Sequence, residues 1–186
     1  TYDGLCYNVD AIKASLGDAV EVLHFDEAWY AYANFHEFYD GFHGISSTQP
    51  ARSQNAITFA TQSTHKLLAA LSQASMIHIQ HAENKRLDVT RFNEAFMMHT
   101  STSPQYGIIA SCDVAAAMME QPAGRSLVQE TIEEAISFRR AMNAVRKQMN
   151  GSWWFDVWEP TVAEQTPSDT HAEWVLKPGD AWHGFE

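Results

Sequence analysis

The chain has 186 residues, of which 45% are hydrophobic, with nine glycines and six prolines. This composition is typical of a packed globular unit and excludes collagen-like, low-complexity and disordered chains. Twelve basic side chains against 23 acidic ones leave a formal charge of −11. Such a charge argues against a nucleic acid or an anionic membrane as the main partner, and it favours a cationic ligand.

The cysteine pattern and the start of the chain indicate a compartment. Cys6 and Cys112 are the two cysteines; they lie far apart and form no CxxC pair, so we expect reduced thiols rather than a disulfide framework. No apolar run is long enough to span a membrane, and the first residues lack the basic and apolar parts of a signal peptide. We therefore expect a soluble, cytoplasmic protein.

The first predicted element is a short helix over residues 7–16. Val9, Ile12 and Leu16 follow one another at helical spacing. Gly17 then stands where a glycine just past the last turn ends a helix.

Three short strands are predicted next, at residues 20–25, 57–61 and 75–79. The first is expected to be mostly buried and stops at Asp26 and Glu27. A loop rich in Gly, Ser and Pro covers residues 41–56, and a polar cluster at 62–66 follows the second strand. In open α/β sheets, ligands bind at the carboxyl ends of strands, which is where these polar groups stand.

The second half of the chain contains the strongest helix pattern, over residues 126–149. Ser126 and Gln129 have the spacing of a capping box, and apolar residues recur at steps of three and four. Ser111 is predicted to cap a helix through Met119. Residues 90–98 are too short a pattern to assign, and strand candidates follow at 152–158 and 174–177. Strands alternating with helices predict an α/β sheet.

Lys66 is the first candidate functional residue. It follows the second strand in the run Ser63-Thr64-His65-Lys66 and precedes small and apolar residues that limit hydration. A neutral amine can act as a nucleophile in such a setting. The alternative is a solvated loop lysine, because this short pattern is not specific by itself.

Asp26 is the second candidate, at the carboxyl end of the first strand. Its carboxylate can pair with a cationic ligand atom, and the small Ala28 would let a flat ring approach the backbone. The alternative is an aspartate that caps a following helix. Metal ligands are available from His24 with Asp26, or from His78 with His81, but neither pair has a well-spaced third ligand, so no metal site is predicted.

An acid after one strand and a lysine after the next is the order that a pyridoxal 5′-phosphate site needs. At this point the chain resembles an internal stretch of the bacterial ornithine/lysine/arginine decarboxylases, which are fold type I pyridoxal-phosphate enzymes. The matching strings cover the chain in order: TYDG, HFDEAW, ATQSTHKLLAALSQASMIH, RFNEAFMMHTSTSP and AWHGF.

The resemblance implies a fold and a domain arrangement. Residues 1–150 would be the second half of the cofactor-binding large domain, with a mixed, mainly parallel sheet flanked by helices. The long helix would lead to the following α/β segment, which begins in residues 151–186. The chain would then be an internal fragment of a larger cofactor domain.

The resemblance also implies roles for individual residues. Lys66 would form the Schiff base with the cofactor aldehyde, Asp26 would hold the pyridine nitrogen, and Ala28 and Trp29 would line the ring pocket. The phosphate or its surroundings would be contacted by Ser63 and His65, and Ser101 or Thr102 would reach the phosphate of a partner subunit in a homodimer or larger homo-oligomer.

The chemistry supports these roles on physical grounds. Two unit charges about 4 Å apart at an effective dielectric near 20 attract by roughly 4 kcal/mol, or about three pKa units, so Asp26 can keep the ring protonated. Lys66 and His65 are both candidates for the catalytic proton donor.

The expected reaction is decarboxylation of a basic amino acid to an amine and CO2, and the resemblance implies a role in polyamine supply or acid resistance. Residues after Lys66 resemble the lysine and arginine branches rather than the ornithine branch, and the choice between lysine and arginine stays open. Other fold type I enzymes, such as an aminotransferase or lyase, and a catalytically idle oligomerisation fragment are the alternatives. The family's ring-stacking histidine and phosphate loop precede TYDG, so these 186 residues alone are expected to bind the cofactor weakly or not at all.

Overall fold

The structure is a computed structural model that describes residues 5–45, 53–155 and 157. These residues form an α/β fold of helices and strands, as predicted. In chain order the elements are α1 (Val9–Leu16), β1 (Val22–Asp26), β2 (Ile57–Gln62), α2 (Thr64–Leu67), β3 (Met76–Gln80), α3 (Val89–His99), α4 (Tyr106–Met118) and α5 (Ala123–Gln148), with short 3₁₀ turns at Ala33–Phe35 and Glu37–Tyr39.

The three strands form one mixed sheet in the order β1-β2-β3. β1 and β2 are parallel, with Asp26 beside Thr61, whereas β2 and β3 are antiparallel, with Gln62 beside Met76. All three strand predictions are confirmed to within about two residues. The carboxyl ends of β1 and β2 and the start of β3 therefore lie at the same edge of the sheet.

Burial differs between the strands. β2, in the middle, buries Ile57, Thr58 and Ala60, as β-branched and small residues allow in a covered strand. In β1 only Leu23 is buried, and about half of Val22 is exposed. The prediction of a mostly buried first strand is therefore wrong for the described sheet. β1 is an outermost strand, with only β2 as a neighbour.

Local capping explains where two helices begin. The Asn8 side chain accepts a hydrogen bond from Ala11 N at 2.9 Å ahead of α1, and Asp88 accepts one from Arg91 N at 3.1 Å ahead of α3. α3 occupies the segment that the sequence pattern left unassigned. Its Phe92 ring lies 6.0 Å from that of Phe59 in β2, so α3 contacts the sheet at this position.

Gly17 ends α1 as predicted, but for a different reason. Its φ is −61°, so the position does not require a left-handed conformation. A Cβ at this position would overlap the carbonyl oxygen of Lys13 and stand 2.9 Å from Ser53 Cβ. The glycine is needed for this close approach of the chain.

The prediction that Ser111 caps a helix is wrong, because α4 begins at Tyr106 and Ser111 lies within it. Ser111 Oγ donates to Ile108 O at 2.7 Å and accepts from Leu71 N at 3.0 Å. Back-bonding of this kind lets a serine sit inside a helix. Here it also connects α4 to the segment that follows α2.

Clustering of contacts divides the chain into two compact units, Thr1–Arg125 and Ser126–Glu186. The long helix is confirmed, but α5 begins at Ala123, so Ser126 does not start it and the capping box is wrong. Gln129 instead donates to Glu133, one turn later, at 2.8 Å. The predicted apolar stripe is confirmed only at Val128 and Ile132, which are buried, whereas its later members Phe138, Val145 and Met149 are exposed. The next buried residue is Ile136, which the predicted stripe did not include.

Beyond α5, residues 152–155 and 157 are not in a strand, so the strand candidate there is not supported. The rest of 152–158 and the candidate at 174–177 lie outside the described residues. No helix in the described part combines the length and apolar character needed to cross a bilayer.

Candidate functional site

The candidate site lies at the edge of the sheet where β1 and β2 end. Because these strands are parallel and Asp26 pairs with Thr61, both predicted motifs leave the sheet side by side. His24, on β1, adds a side-chain hydrogen bond to Thr61, with 3.2 Å between Nε2 and Oγ1. The sheet topology thus brings the acid and lysine motifs to one edge, as the strand pattern predicted.

Asp26 is exposed at this edge. Its Oδ1 accepts a hydrogen bond from Ala28 N at 3.0 Å, an Asx turn that bends the chain away from the strand. Among the described residues, Oδ2 has no hydrogen-bond partner, and no helix begins directly after Asp26. One carboxylate oxygen thus shapes the turn and the other is available to a ligand.

Lys66 comes from the second motif and lies in the short helix α2. Its Nζ stands 5.0 Å from the centroid of the Trp29 ring, a cation–π contact worth about 0.5–1 kcal/mol at an exposed site. Both side chains are exposed. This contact brings together two predicted site residues, one from each motif.

His65 is oriented by the backbone. Its Nδ1 donates to the carbonyl oxygen of Ala74 at 2.8 Å, and its amide nitrogen donates to the same oxygen at 3.2 Å. Since a carbonyl can only accept, the ring proton is at Nδ1 and Nε2 of the neutral ring is the acceptor. His65 can therefore take up a proton at Nε2 alone.

The hydroxyl groups beside His65 are in different surroundings. Ser63 is half-buried at the start of α2, and its side chain does not cap the helix. Thr64 is fully buried, and its Oγ1 has no hydrogen-bond partner in the described structure. A buried hydroxyl without a partner is uncommon, and it lies between two residues predicted to be near the cofactor phosphate.

Ser101 lies apart from these contacts. It is exposed, accepts from Ser103 N at 3.1 Å, and otherwise bonds within the same turn. Nothing in the described part of the chain joins Ser101 to Lys66, so its predicted role at a partner subunit's phosphate stays a prediction.

Sequence reasoning missed a buried acid next to the site. Glu27 is 4% exposed, accepts from Gly44 N through Oε1, and accepts from Gln62 Nε2 through Oε2 at 3.0 Å. Gln62 Oε1 lies 3.2 Å from His78 Nε2. Alternation along the strand predicts that Glu27 and Asp26 face opposite sides of the sheet, but no local pattern predicts partners this far along the chain.

A buried lysine was also missed. Lys13, on α1, is 6% exposed, and its Nζ donates to Gln80 Oε1 at 3.3 Å. Burial lowers the pKa of Lys13, while the negative charges of Asp10 and Glu27 act in the opposite direction. The spacing of Val9, Ile12 and Leu16 predicted the helix α1 but gave no reason to bury its lysine.

An aromatic cluster holds the chain that follows Trp29. The rings of Tyr30, Tyr32 and Tyr39 meet edge to face, with centroids 5.4 to 5.7 Å apart. Burial raises the pKa of all three phenols and of the neighbouring Cys6 thiol. These groups therefore stay neutral near pH 7 and serve as packing beside the site.

The described residues contain no group of three or more His, Cys, Asp or Glu side chains that could hold a metal ion. Fold and site together define an α/β chain in which an exposed lysine and an exposed aspartate follow two parallel strands.

The chain belongs to the Orn/Lys/Arg decarboxylase family: the profile of its major domain matches residues 1–186. It is 63% identical to a lysine decarboxylase of Pseudomonas aeruginosa and 49% identical to one of Hafnia alvei, over its full length in both cases. A solved structure of lysine decarboxylase A from Pseudomonas aeruginosa matches the whole chain with a TM-score of 0.86 and 64% identity.

These similarities cover only part of the relatives. The chain spans 24% and 23% of the two lysine decarboxylases and 25% of the solved chain. Relatives with other named substrates are less similar: the biodegradative arginine decarboxylase of Escherichia coli is 42% identical, and its constitutive ornithine decarboxylase 32%. The predicted family is confirmed.

Proposed function

We propose that this chain forms part of a pyridoxal-phosphate-dependent lysine decarboxylase and carries the lysine that holds the cofactor. The observation that carries the proposal is the contact between Lys66 Nζ and the Trp29 ring, 5.0 Å apart, at the sheet edge that also presents Asp26. It joins the acid motif to the lysine motif, which follow different strands.

The residues present fit this cofactor. Lys66 is exposed, so its amine can reach an aldehyde, and Oδ2 of Asp26 has no partner among the described residues. Ala28, half-buried in the turn, is small enough for a flat ring to lie against the backbone. The half-buried Ser63 offers a donor for a phosphate close to Lys66.

Bound pyridoxal phosphate supplies a protonated ring that accepts the electron pair left when CO2 departs from the substrate. The Asp26 carboxylate would stabilise a positive charge on the ring nitrogen, and Trp29 would line the same pocket. Lys66 would hold the cofactor through its Nζ amine.

Two groups of this chain can deliver the proton that replaces CO2. Lys66 Nζ could donate this proton when it is not bound to the cofactor. His65 can donate from Nε2 after taking up a proton there, because its Nδ1 hydrogen is held by Ala74 O. Both stay candidates for the general acid.

Lysine is proposed as the substrate because the most similar relatives given above are named lysine decarboxylases, ahead of the arginine and ornithine enzymes. The finer architecture belongs to the same proposal: a fold type I large domain over residues 1–150, a following segment over 151–186, and a cytoplasmic homodimer or larger homo-oligomer in which Ser101 reaches the partner's phosphate. The charge of −11 suits a cationic substrate.

The test is CO2 release from lysine, arginine and ornithine by the complete protein, with Lys66→Ala and the exposed control Lys147→Ala. We expect lysine to give the highest kcat/KM, Lys66→Ala to abolish turnover, and the control to behave as wild type. Wild-type turnover by the Lys66 variant would refute the mechanism. A preference for arginine or ornithine would refute the substrate and leave the mechanism standing.

A further inference from the structure

A line of hydrogen bonds crosses all three strands just behind the candidate site. Glu27, the first residue after β1, is bonded to Gln62, the last residue of β2, and Gln62 is bonded to His78 in the middle of β3. Gly44 N donates to the other carboxylate oxygen of Glu27. This line lies at the edge from which Asp26 and Lys66 emerge.

Chemistry fixes which atom donates and which accepts in each of these hydrogen bonds. A carboxylate only accepts, so the Gln62 amide must turn its Nε2 towards Glu27 and its Oε1 towards His78. His78 Nε2 must then carry a hydrogen. Because Glu27 is 4% exposed, water does not replace the donors to its carboxylate, and a buried carboxylate that loses a donor is costly.

We propose that Glu27 and Gln62 are positioning residues that set the separation between the ends of β1 and β2, and with it the placement of Asp26 relative to Lys66. Asp26 directly precedes Glu27, and Lys66 follows Gln62 by one short turn. Neither residue is proposed to touch the cofactor. The inference rests on the proposed function, because it concerns the geometry of the same site.

Exchanging the carboxylate and the amide between positions 27 and 62 reverses the direction of this hydrogen bond and so tests the proposal. Gln62→Glu places two carboxylates against each other in a partly buried position, where like charges repel. The double variant E27Q/Q62E restores one carboxylate facing one amide. The amide at position 27 can donate to position 62 and still accept from Gly44 N, and the carboxylate at position 62 accepts from His78.

The experiment measures pyridoxal-phosphate affinity of the complete protein by absorbance and fluorescence titration, together with Tm of the cofactor-free protein. We expect Gln62→Glu to raise the Kd for pyridoxal phosphate by about tenfold or more, since contacting groups couple strongly. E27Q/Q62E should return the Kd to within about threefold of wild type. Gln148→Glu makes the same charge change at the exposed end of α5 and should leave the Kd unchanged.

The outcomes separate this inference from the function on which it rests. A wild-type protein that does not bind pyridoxal phosphate overturns both. A wild type that binds, with a Gln62→Glu variant of equal affinity, overturns the positioning role alone, as does a folded double variant as weak as the single one. Where Gln62→Glu fails to fold, a double variant of near wild-type affinity supports the inference, and a double variant that also fails overturns it.

Discussion

Asp26→Asn separates the electrostatic role of Asp26 from its structural one. Asparagine keeps an oxygen at the Oδ1 position, so the hydrogen bond from Ala28 N, 3.0 Å long, survives together with the turn. The substitution removes only the negative charge. Because the side chain is exposed, we expect the free energy of unfolding to change by no more than about 0.5 kcal/mol.

The effect on turnover follows from the charge. A carboxylate about 4 Å from a protonated ring nitrogen stabilises it by roughly 4 kcal/mol at an effective dielectric of 20, and by about 1 kcal/mol in bulk water. The exposure of Asp26 places its environment between these limits. Converted to rates, the limits correspond to a fall in kcat of roughly fivefold to a thousandfold.

The assay is CO2 release from lysine by the complete protein at saturating pyridoxal phosphate, with Asp113→Asn, on the exposed side of α4, as the control for loss of a negative charge. Asp26→Asn should lose activity while the control keeps it. An Asp26→Asn variant with kcat within about twofold of wild type, or an equal loss in both variants, would refute the reasoning.

Two further predictions concern the fold. Gly17→Ala should lower the free energy of unfolding by about 1–3 kcal/mol, because the added Cβ would overlap Lys13 O. At Gly107 an added Cβ meets nothing within 4 Å, so Gly107→Ala should raise the free energy of unfolding by about 0.4–1 kcal/mol. Urea titrations measure both changes, and equal effects of the two variants would contradict this prediction. A hydrogen bond from Arg125 lowers the pKa of Glu37, so the pair stabilises the protein above the ordinary carboxyl pKa and less as pH falls through the lowered one. Glu37→Gln should therefore cost stability at neutral pH and nothing in acid, and a difference independent of pH would be the contrary result.

Much of the sheet could be predicted from the sequence because its signals are local. Short apolar runs ended by polar residues identified all three strands, and the order of Asp26 and Lys66 after parallel strands placed both motifs at one edge. The antiparallel pairing of β3 had no such signal. Pairing direction depends on how the chain returns, which neither composition nor alternation specifies.

Helix starts were predicted less well, since serine serves more than one purpose. Ser111 and Ser126 both suited a cap by type and spacing, yet both lie inside helices. The Ser111 hydroxyl finds its partners at Ile108 O and Leu71 N instead. A side chain that can satisfy itself within a helix gives an ambiguous boundary.

Within the candidate site, the residues of the two motifs could be named from the sequence, but not the contacts that hold them. The pairing of Glu27 with Gln62 joins positions far apart in the chain, and the burial of Lys13 depends on Gln80 in β3. Such bonds arise from tertiary packing of the sheet. The roles assigned to Ser63, His65 and Ser101 stay predictions.

The most direct test of the central claim is to identify the residue that holds the cofactor. The complete protein is incubated with pyridoxal phosphate, reduced with borohydride, digested and analysed by mass spectrometry, with Lys66→Ala and Lys147→Ala treated in parallel. The account predicts one stoichiometric pyridoxyl group on Lys66, also present in the Lys147 variant and absent from the Lys66 variant. A stoichiometric label on another lysine, or equal labelling of the Lys66 variant, would contradict it.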